Sequence, residues 1–347
     1  MDTIRKNSKS YGNMWEFKEN LTSENEELVI KNDKLTSLYN QQPKRRYCKI
    51  CHGTKRRYEF HGRGTTFFCC NQCGHINGSY EDTEEYCKVM YESEDGIFGG
   101  YYEDSDKETF LRRMKTIYMP KAEFMIEVLE KSGAFPKKLS YVDIGAGSGH
   151  FVWALKDLGL NAVGIEADLH QVNYVNKLFG SEIEKHCPSK NVIDYLSRTK
   201  TDVVSAIYAF EHIINVVDVF EAINDNPNIK WIYYSVPMFS VTSMLDSVNS
   251  DVYGRVLHAA HTHIYTEESI KWINQKYHWK VLGEWRFGSD IADILRMIMV
   301  KAERNGDVLY AQECKRRLSG LIDELQSVLD RNDCCSDTHI LLEKEDV

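Results

Sequence analysis

The chain has 347 residues, 42% hydrophobic and 27% charged, enough apolar material for a substantial core in one large domain or two. Its formal net charge of −9 argues against a body built to sit on nucleic acid or on an anionic membrane. No apolar run approaches the ~18 residues of a membrane span, the start from Met1 to Ser10 is polar, and ten cysteines without an export signal suggest thiols and metal ligands in a cytoplasmic protein.

Residues 1–43 form a polar N-terminal segment. Leu21, Leu28 and Leu35 repeat at seven within it, which predicts a short, amphipathic surface helix. Residues 44–80 change character. Cys48-Lys-Ile-Cys51 and Cys70-Asn-Gln-Cys73 are two C-x2-C pairs, with Gly53 and Gly74 close behind. Each pair can wrap a knuckle and offer two thiolates to one tetrahedral zinc, so a structural, closed site is expected in a small β module. Cys69, His52 and His75 stand near enough to compete as ligands. The same stretch carries Lys44, Arg45, Arg46, Lys49, Lys55, Arg56, Arg57 and Arg63 among its aromatic residues, a pattern a nucleic-acid surface would also use.

Residues 81–139 read as a helical linker or lid. Phe98-Gly-Gly-Tyr101-Tyr102 marks a turn, and Arg112 to Leu129 has helical periodicity interrupted at Pro120. From 140 to 347 strands and helices alternate, with strands expected at 140–144, 162–165, 190–194, 202–208, 230–235 and 278–286. That alternation predicts a parallel sheet covered by helices. A long helical stretch follows, Asp290 to Arg331, with an apolar stripe at Leu318, Leu321, Leu325 and Leu329. It is expected to pack on the core or, more sharply, to form a homodimer contact. Thr338 to Glu343 reads as a last strand.

The most informative run is Tyr141-Val-Asp-Ile-Gly-Ala-Gly-Ser-Gly-His150, a buried strand entering a glycine turn ahead of a helix. Asp143 stands two residues before Gly145, where a dinucleotide fold keeps an apolar residue. Glu166 ends the next strand, where an acid can bind ribose hydroxyls. The run D-I-G-A-G-S-G resembles motif I of the class I S-adenosylmethionine-dependent methyltransferases. With the cysteine pairs, Tyr208-Ala-Phe-Glu211-His212, Ser235-Val-Pro237, His261-Thr-His263-Ile-Tyr265-Thr266 and Ser336-Asp-Thr-His-Ile340, residues from about Tyr47 to Lys344 resemble the zinc-ribbon-bearing members associated with sugar and polysaccharide biosynthesis.

The resemblance implies a Rossmann-like α/β fold of seven strands, the last antiparallel beside the sixth, behind an N-terminal zinc ribbon; it makes residues 290–331 a helical insertion between the last two strands. It implies S-adenosylmethionine and a structural zinc as cofactors. Asp143 would orient the turn and reach the cofactor's amino group, Gly145, Gly147 and Gly149 would admit it, and Glu166 would hold the ribose. Asp194, read as the end of the third strand, would lie near the adenine, and Tyr208 would line the same site. The expected reaction is methyl transfer to a small-molecule acceptor, a hydroxyl of a sugar or nucleotide-linked sugar. Deoxysugar C-methyltransferases carry Tyr-His-Glu-His where this chain has Ala260-His261-Thr262-His263, which argues against C-methylation. An RNA base methyltransferase, C- or N-methylation of a modified sugar, or a non-catalytic cofactor-binding protein are the alternatives.

A sugar hydroxyl is a poor nucleophile and needs a proton acceptor. His263 leads for that role, then His261, with His212 and Glu211 beyond the fourth strand pointing to the same region. His258, His261 and His263 crowd six residues, yet the nearby acids form no obvious carboxylate set, so a base is expected there rather than a metal.

Overall fold

In a computed structural model, residues 2–10, 24–92, 106–249, 251–258 and 260–345 are described. Twelve strands are found among them: β1 (Ile4–Asn7), β2 (Arg56–Gly62), β3 (Thr65–Cys70), β4 (Ile76–Gly78), β5 (Ser140–Ile144), β6 (Asn161–Glu166), β7 (Glu184–His186), β8 (Val203–Ile207), β9 (Trp231–Pro237), β10 (His263–Ile264), β11 (Trp279–Phe287) and β12 (Asp337–Lys344). They make two sheets.

The large sheet runs β7-β6-β5-β8-β9-β12-β11-β1. β12 is antiparallel to both β9 and β11, as expected of a last strand inserted beside its predecessor. Its neighbours at the other end pair in parallel. Alternation along the strands divides the core. Tyr141, Val203, Tyr233 and Leu341 meet Phe124, Val128, Phe151 and Leu155 of the helices Met119–Lys131 and His150–Asp157. Val142, Val204, Ile232 and Ile340 face Leu196, Phe220 and Ile223 of the helices Val192–Arg198 and Val216–Asp225. Both faces are covered, as parallel strands require.

Two strand expectations are corrected. The sheet has eight strands, because β1 adds in parallel to the edge of β11, with Lys6 Nζ 3.9 Å from the Trp285 ring centroid. The third strand of the alternation is β7, whereas Val192 begins a helix after Pro188 and a short 3-10 turn.

Pro120 sits in the first turn of Met119–Lys131, where its missing N–H costs nothing, after a wide turn at Met114–Tyr118. The 98–102 turn and Leu21 lie outside the described residues. The expected surface helix, Asn25–Tyr39, buries Leu28, Leu35 and Tyr39. The insertion forms three helices, Asp290–Arg304, Val308–Leu318 and Ile322–Arg331. The last turns Ile322, Gln326 and Asp330 inward and leaves Leu321 and Leu325 exposed, so the leucine stripe is not its packing face.

The second sheet, β10-β4-β3-β2, takes three strands from the cysteine-rich segment and one from far along the chain. His263 pairs with Asn77 and Ile264 with Ile76. The cysteine-rich module is thereby attached to the loop that follows β9. No described helix is long and apolar enough to cross a membrane.

Candidate active site

β5 ends under the glycine turn. Gly145 has a φ of 62°, and a Cβ there would stand 2.9 Å from Ala209 Cβ, so the turn lies against the end of β8 only because this residue is glycine. Its N–H donates to the Ile165 carbonyl at 2.9 Å. Gly147 and Gly149 share the left-handed conformation. The Gly147 N–H donates to Glu166 Oε2 at 2.9 Å, and Glu166 Oε1 accepts from the Ala167 and Asp168 N–H groups at 2.7 and 2.9 Å. One carboxylate thus ties the turn to the end of β6. Burial raises its proton affinity, and the three N–H donors oppose that rise.

Two further acids crowd the same place. Asp143 is buried and accepts from Ser205 Oγ at 2.6 Å. Burial pushes its carboxyl up to about 7; the Ser205 hydroxyl opposes the rise and the Glu166 charge adds to it. Glu184, on β7, lies beneath the turn, where a Cβ on Gly149 would come within 2.7 Å of its Oε1. Both its carboxyl oxygens lack a hydrogen-bond partner among the described residues. Burial first, then the charges of Glu166, Asp143 and Asp168, push it up to about 9. Sequence reasoning missed Glu184 because it placed the third strand too late. Asp194, expected at that strand's end, instead occupies a helix, exposed and paired with Arg198 at 2.7 Å. His150 closes the turn on the helix side, stacked on Phe110 with ring centroids 4.0 Å apart. Burial pulls its imidazole down to about 3, so it stays neutral.

Beyond β8 the chain changes chemistry. Tyr208 has a φ of 55°, unusual for a bulky residue, and its N–H donates to the Ser235 carbonyl at 3.0 Å. Its ring lies 4.5 Å from Lys121 Nζ, and the Asp337 carboxyl lies near its hydroxyl. Phe210–His212 then forms one 3-10 turn. Glu211 is 2% exposed, and its Oε2 has no partner among the described residues. His212 Nε2 lies 3.9 Å from Glu211 Oε1. The His212 and His261 rings are 5.2 Å apart, and the His258 ring lies tilted against His261 with centroids 3.9 Å apart. His261 Nδ1 sits 2.8 Å from the Val256 carbonyl. A carbonyl only accepts, so Nδ1 carries the proton and Nε2 the lone pair.

His263 is fully buried and its Nδ1 lies 2.9 Å from His75 Nε2, a contact spanning 188 residues. Burial, helped by the Lys49 and His75 charges, holds its proton affinity well below the ordinary range for imidazole. Of the sequence-derived candidates, Asp143, the three glycines and Glu166 gather at one turn. Glu211, His212, His261 and His263 gather around the loop after β9. His75, treated only as a spare metal ligand, emerges as the partner of His263.

The four cysteines converge on the far side of the small sheet. Their sulfurs all lie within 4.8 Å of one another, with Cys48 and Cys73 3.6 Å apart and Cys51 and Cys70 3.4 Å apart. Tetrahedral zinc with Zn–S bonds of about 2.3 Å sets sulfurs about 3.8 Å apart, so this donor set suits zinc. The Gly53 and Gln72 N–H groups and the Asn77 amide point at Cys51, Cys70 and Cys48 at 3.4 Å each, the second shell thiolates call for. Cys69 turns to the Gly74 carbonyl and His75 to His263, which leaves the competitors out.

A family model described as "Methyltransferase domain" matches residues 110–284. Among solved structures, the chain is similar to the plantazolicin methyltransferase BamL, solved with a triazolic desmethylPZN analog and SAH, at 14% identity over 75% of this chain and 94% of that one, with a TM-score of 0.45. A SAM dependent methyltransferase from Archaeoglobus fulgidus is similar at 16% identity over 68% of this chain and 99% of that one, TM-score 0.39. Magnesium protoporphyrin IX methyltransferase from Synechocystis PCC 6803, with bound SAH, is similar at 10% over 70% and 91%, TM-score 0.41. No curated protein matches the sequence.

Proposed function

The chain belongs to the methyltransferase domain family and is an enzyme of that kind, and from that premise we propose that it transfers a methyl group from S-adenosylmethionine to a hydroxyl of a sugar or nucleotide-linked sugar. The observation that carries the cofactor is the crowding of Asp143, Glu166 and Glu184 around the glycine turn. Three acids with raised proton affinity, Asp143 and Glu184 buried and Glu166 half-buried, with Glu184 lacking a hydrogen-bond partner among the described residues, suit a ligand that brings positive charge. S-adenosylmethionine, when bound, supplies an activated methyl group on a sulfonium.

Asp143 holds the amino group, the turn at Gly145, Gly147 and Gly149 admits the amino-acid tail, and Glu166 accepts from the ribose. Tyr208 lines the boundary between cofactor and acceptor. On the acceptor side His263 takes the hydroxyl proton. Its ring is oriented by His75, and when Nδ1 donates to His75 the Nε2 atom, without a partner among the described residues, presents its lone pair. Glu211, His212 and His261 surround the acceptor oxygen. Zinc on Cys48, Cys51, Cys70 and Cys73 is structural: it fixes β4, and β4 fixes His263 through β10.

The sugar acceptor rests on the order of motifs along the chain and on the departure at Ala260–His263 from the C-methylating pattern. The RNA reading loses its main support. Arg45 and Lys49 are buried on Asp82, Arg56 pairs with Glu59, Arg57 with Glu268, and Arg63 donates to backbone carbonyls at Asn249 and Val252. These five of the eight basic residues serve the fold rather than a phosphate backbone. Calorimetric titration of the purified chain with S-adenosylmethionine and, separately, NAD tests the cofactor: binding of the first alone is expected, and binding of NAD alone contradicts the assignment.

A further inference from the structure

We propose that Glu211, His212 and His261 form a binding site for one divalent transition-metal ion, separate from the four-cysteine centre. One ligand atom from each residue lies within 4.8 Å of the other two. Glu211 carries the argument. Its carboxyl is almost wholly buried, Oε2 has no hydrogen-bond partner, and no lysine or arginine pairs with it among the described residues. A carboxylate buried in this way is unfavourable unless a cation, a donor or a proton meets it. The two imidazoles that face it are not donors waiting to do so. His261 has its proton fixed at Nδ1 by the Val256 carbonyl, which aims a lone pair from Nε2. His212 is held by the Ala260 backbone and reaches Glu211 through Nε2. A histidine whose other ring nitrogen is anchored on a backbone carbonyl is the arrangement by which proteins orient a metal ligand. His258, packed at a tilt against His261, further fixes that ring.

The chemistry of the donor set narrows the ion. Two imidazoles and one carboxylate suit Mn, Fe, Co or Zn in the divalent state, and disfavour the all-oxygen cations. Three protein ligands also leave coordination positions open, unlike the closed four-cysteine set. The turn that bears Glu211 and His212 follows directly on Ala209, which lies against Gly145. The three ligands therefore stand just beyond the contact between the end of β8 and the glycine turn. An acceptor oxygen ligated there would lose its proton to His263 more readily. This purpose rests on the methyl-transfer reading; the binding itself does not.

The test is calorimetric titration of the full chain, its four-cysteine centre zinc-replete, with Mn²⁺ alone, followed by titration with S-adenosylmethionine. The expected result is one Mn²⁺ per chain, with affinity lowered by roughly tenfold or more in Glu211→Gln and in His261→Asn. Retained zinc content shows that each variant is folded. Uptake of one extra Zn²⁺ in place of Mn²⁺, lost in both variants, supports the site equally. A wild-type chain that takes up neither ion beyond the four-cysteine equivalent overturns it, whatever the variants do, and so does equal binding in all three proteins. Mn²⁺ binding without S-adenosylmethionine binding would keep the site and sink the methyl-transfer reading. The reverse would sink the site alone.

Discussion

The two ends of the candidate site solve the same problem by opposite means. On the side of β5, β6 and β7, acids gather around a backbone turn, and the pieces lie within about forty-five residues of one another, Ser140 to His186. On the side of β8 and β10, imidazoles gather around Glu211, and the contact that positions His263 comes from His75, 188 residues away. The first half is local and held by glycine geometry and N–H donors. The second is assembled only when the cysteine-rich module docks its sheet on β10. A local half should survive damage to the distant module; an assembled half should not.

The comparison breaks most visibly at the cysteines. Replacing Cys51 and Cys73 together by serine should release the zinc, unfold the module and reduce turnover to background, because metal binding supplies most of the folding free energy of so small a unit. Cofactor affinity, measured by calorimetry on the same variant, should be nearly unchanged. Loss of both functions together would show that the halves are not separable. His263→Ala asks the same question at one atom. Turnover should fall by ~10²–10⁴ with cofactor affinity intact, and His75→Ala should fall less, since it only orients the ring. Near-full turnover in His263→Ala would move the base elsewhere in the cluster.

The opposite half is probed by Glu166→Ala. Charged hydrogen bonds are worth ~1.5–3 kcal/mol each, so affinity for S-adenosylmethionine should drop by about 10- to 100-fold. An unchanged isotherm would remove Glu166 from the site. Asp143 gives the smallest and most specific effect. Its folded carboxyl is raised to about 7, above the ordinary value of 3.8, so below neutrality it is protonated and cannot pair with an ammonium group. Cofactor affinity should therefore rise with pH up to about 7 and level off above it, with proton release on binding in the lower range. The sign for stability is the reverse: the free protein should lose stability as pH rises from about 4 to 7, because the unfolded chain ionises this group first. Asp143→Asn should flatten both profiles, and a pH-independent affinity in the wild type would contradict the pairing.

How much of this the sequence disclosed follows the same division. β5, its glycine turn and Glu166 are legible because one short run carries strand, turn and acid. The antiparallel last strand and the helical insertion follow from the family resemblance rather than from alternation, which alone predicts only a parallel sheet. What escaped lacks local signal. β7 is Glu-Lys-His, too short and polar to register, so the apolar pair Val192 and Ile193 drew the strand to itself and Glu184 went unseen. β1 is Ile-Arg-Lys-Asn, an edge strand defined by its neighbour rather than its pattern. β10 has two residues, and nothing in them announces a pairing with Asn77 and Ile76. The acid that completes the histidine cluster, Glu211, stands fifty residues from His261 in sequence, which is why the histidines alone suggested no carboxylate partner.

The central claim is that this site methylates a small sugar-bearing acceptor. Purified protein incubated with methyl-labelled S-adenosylmethionine and separated small-molecule and RNA fractions of a cell extract, read by mass spectrometry, tests it most directly. The account predicts one added methyl group on a sugar or nucleotide-linked sugar in the small-molecule fraction, absent when Cys51 and Cys73 are together replaced by serine. Label confined to the RNA fraction, or absent from both while the cofactor binds, would contradict it.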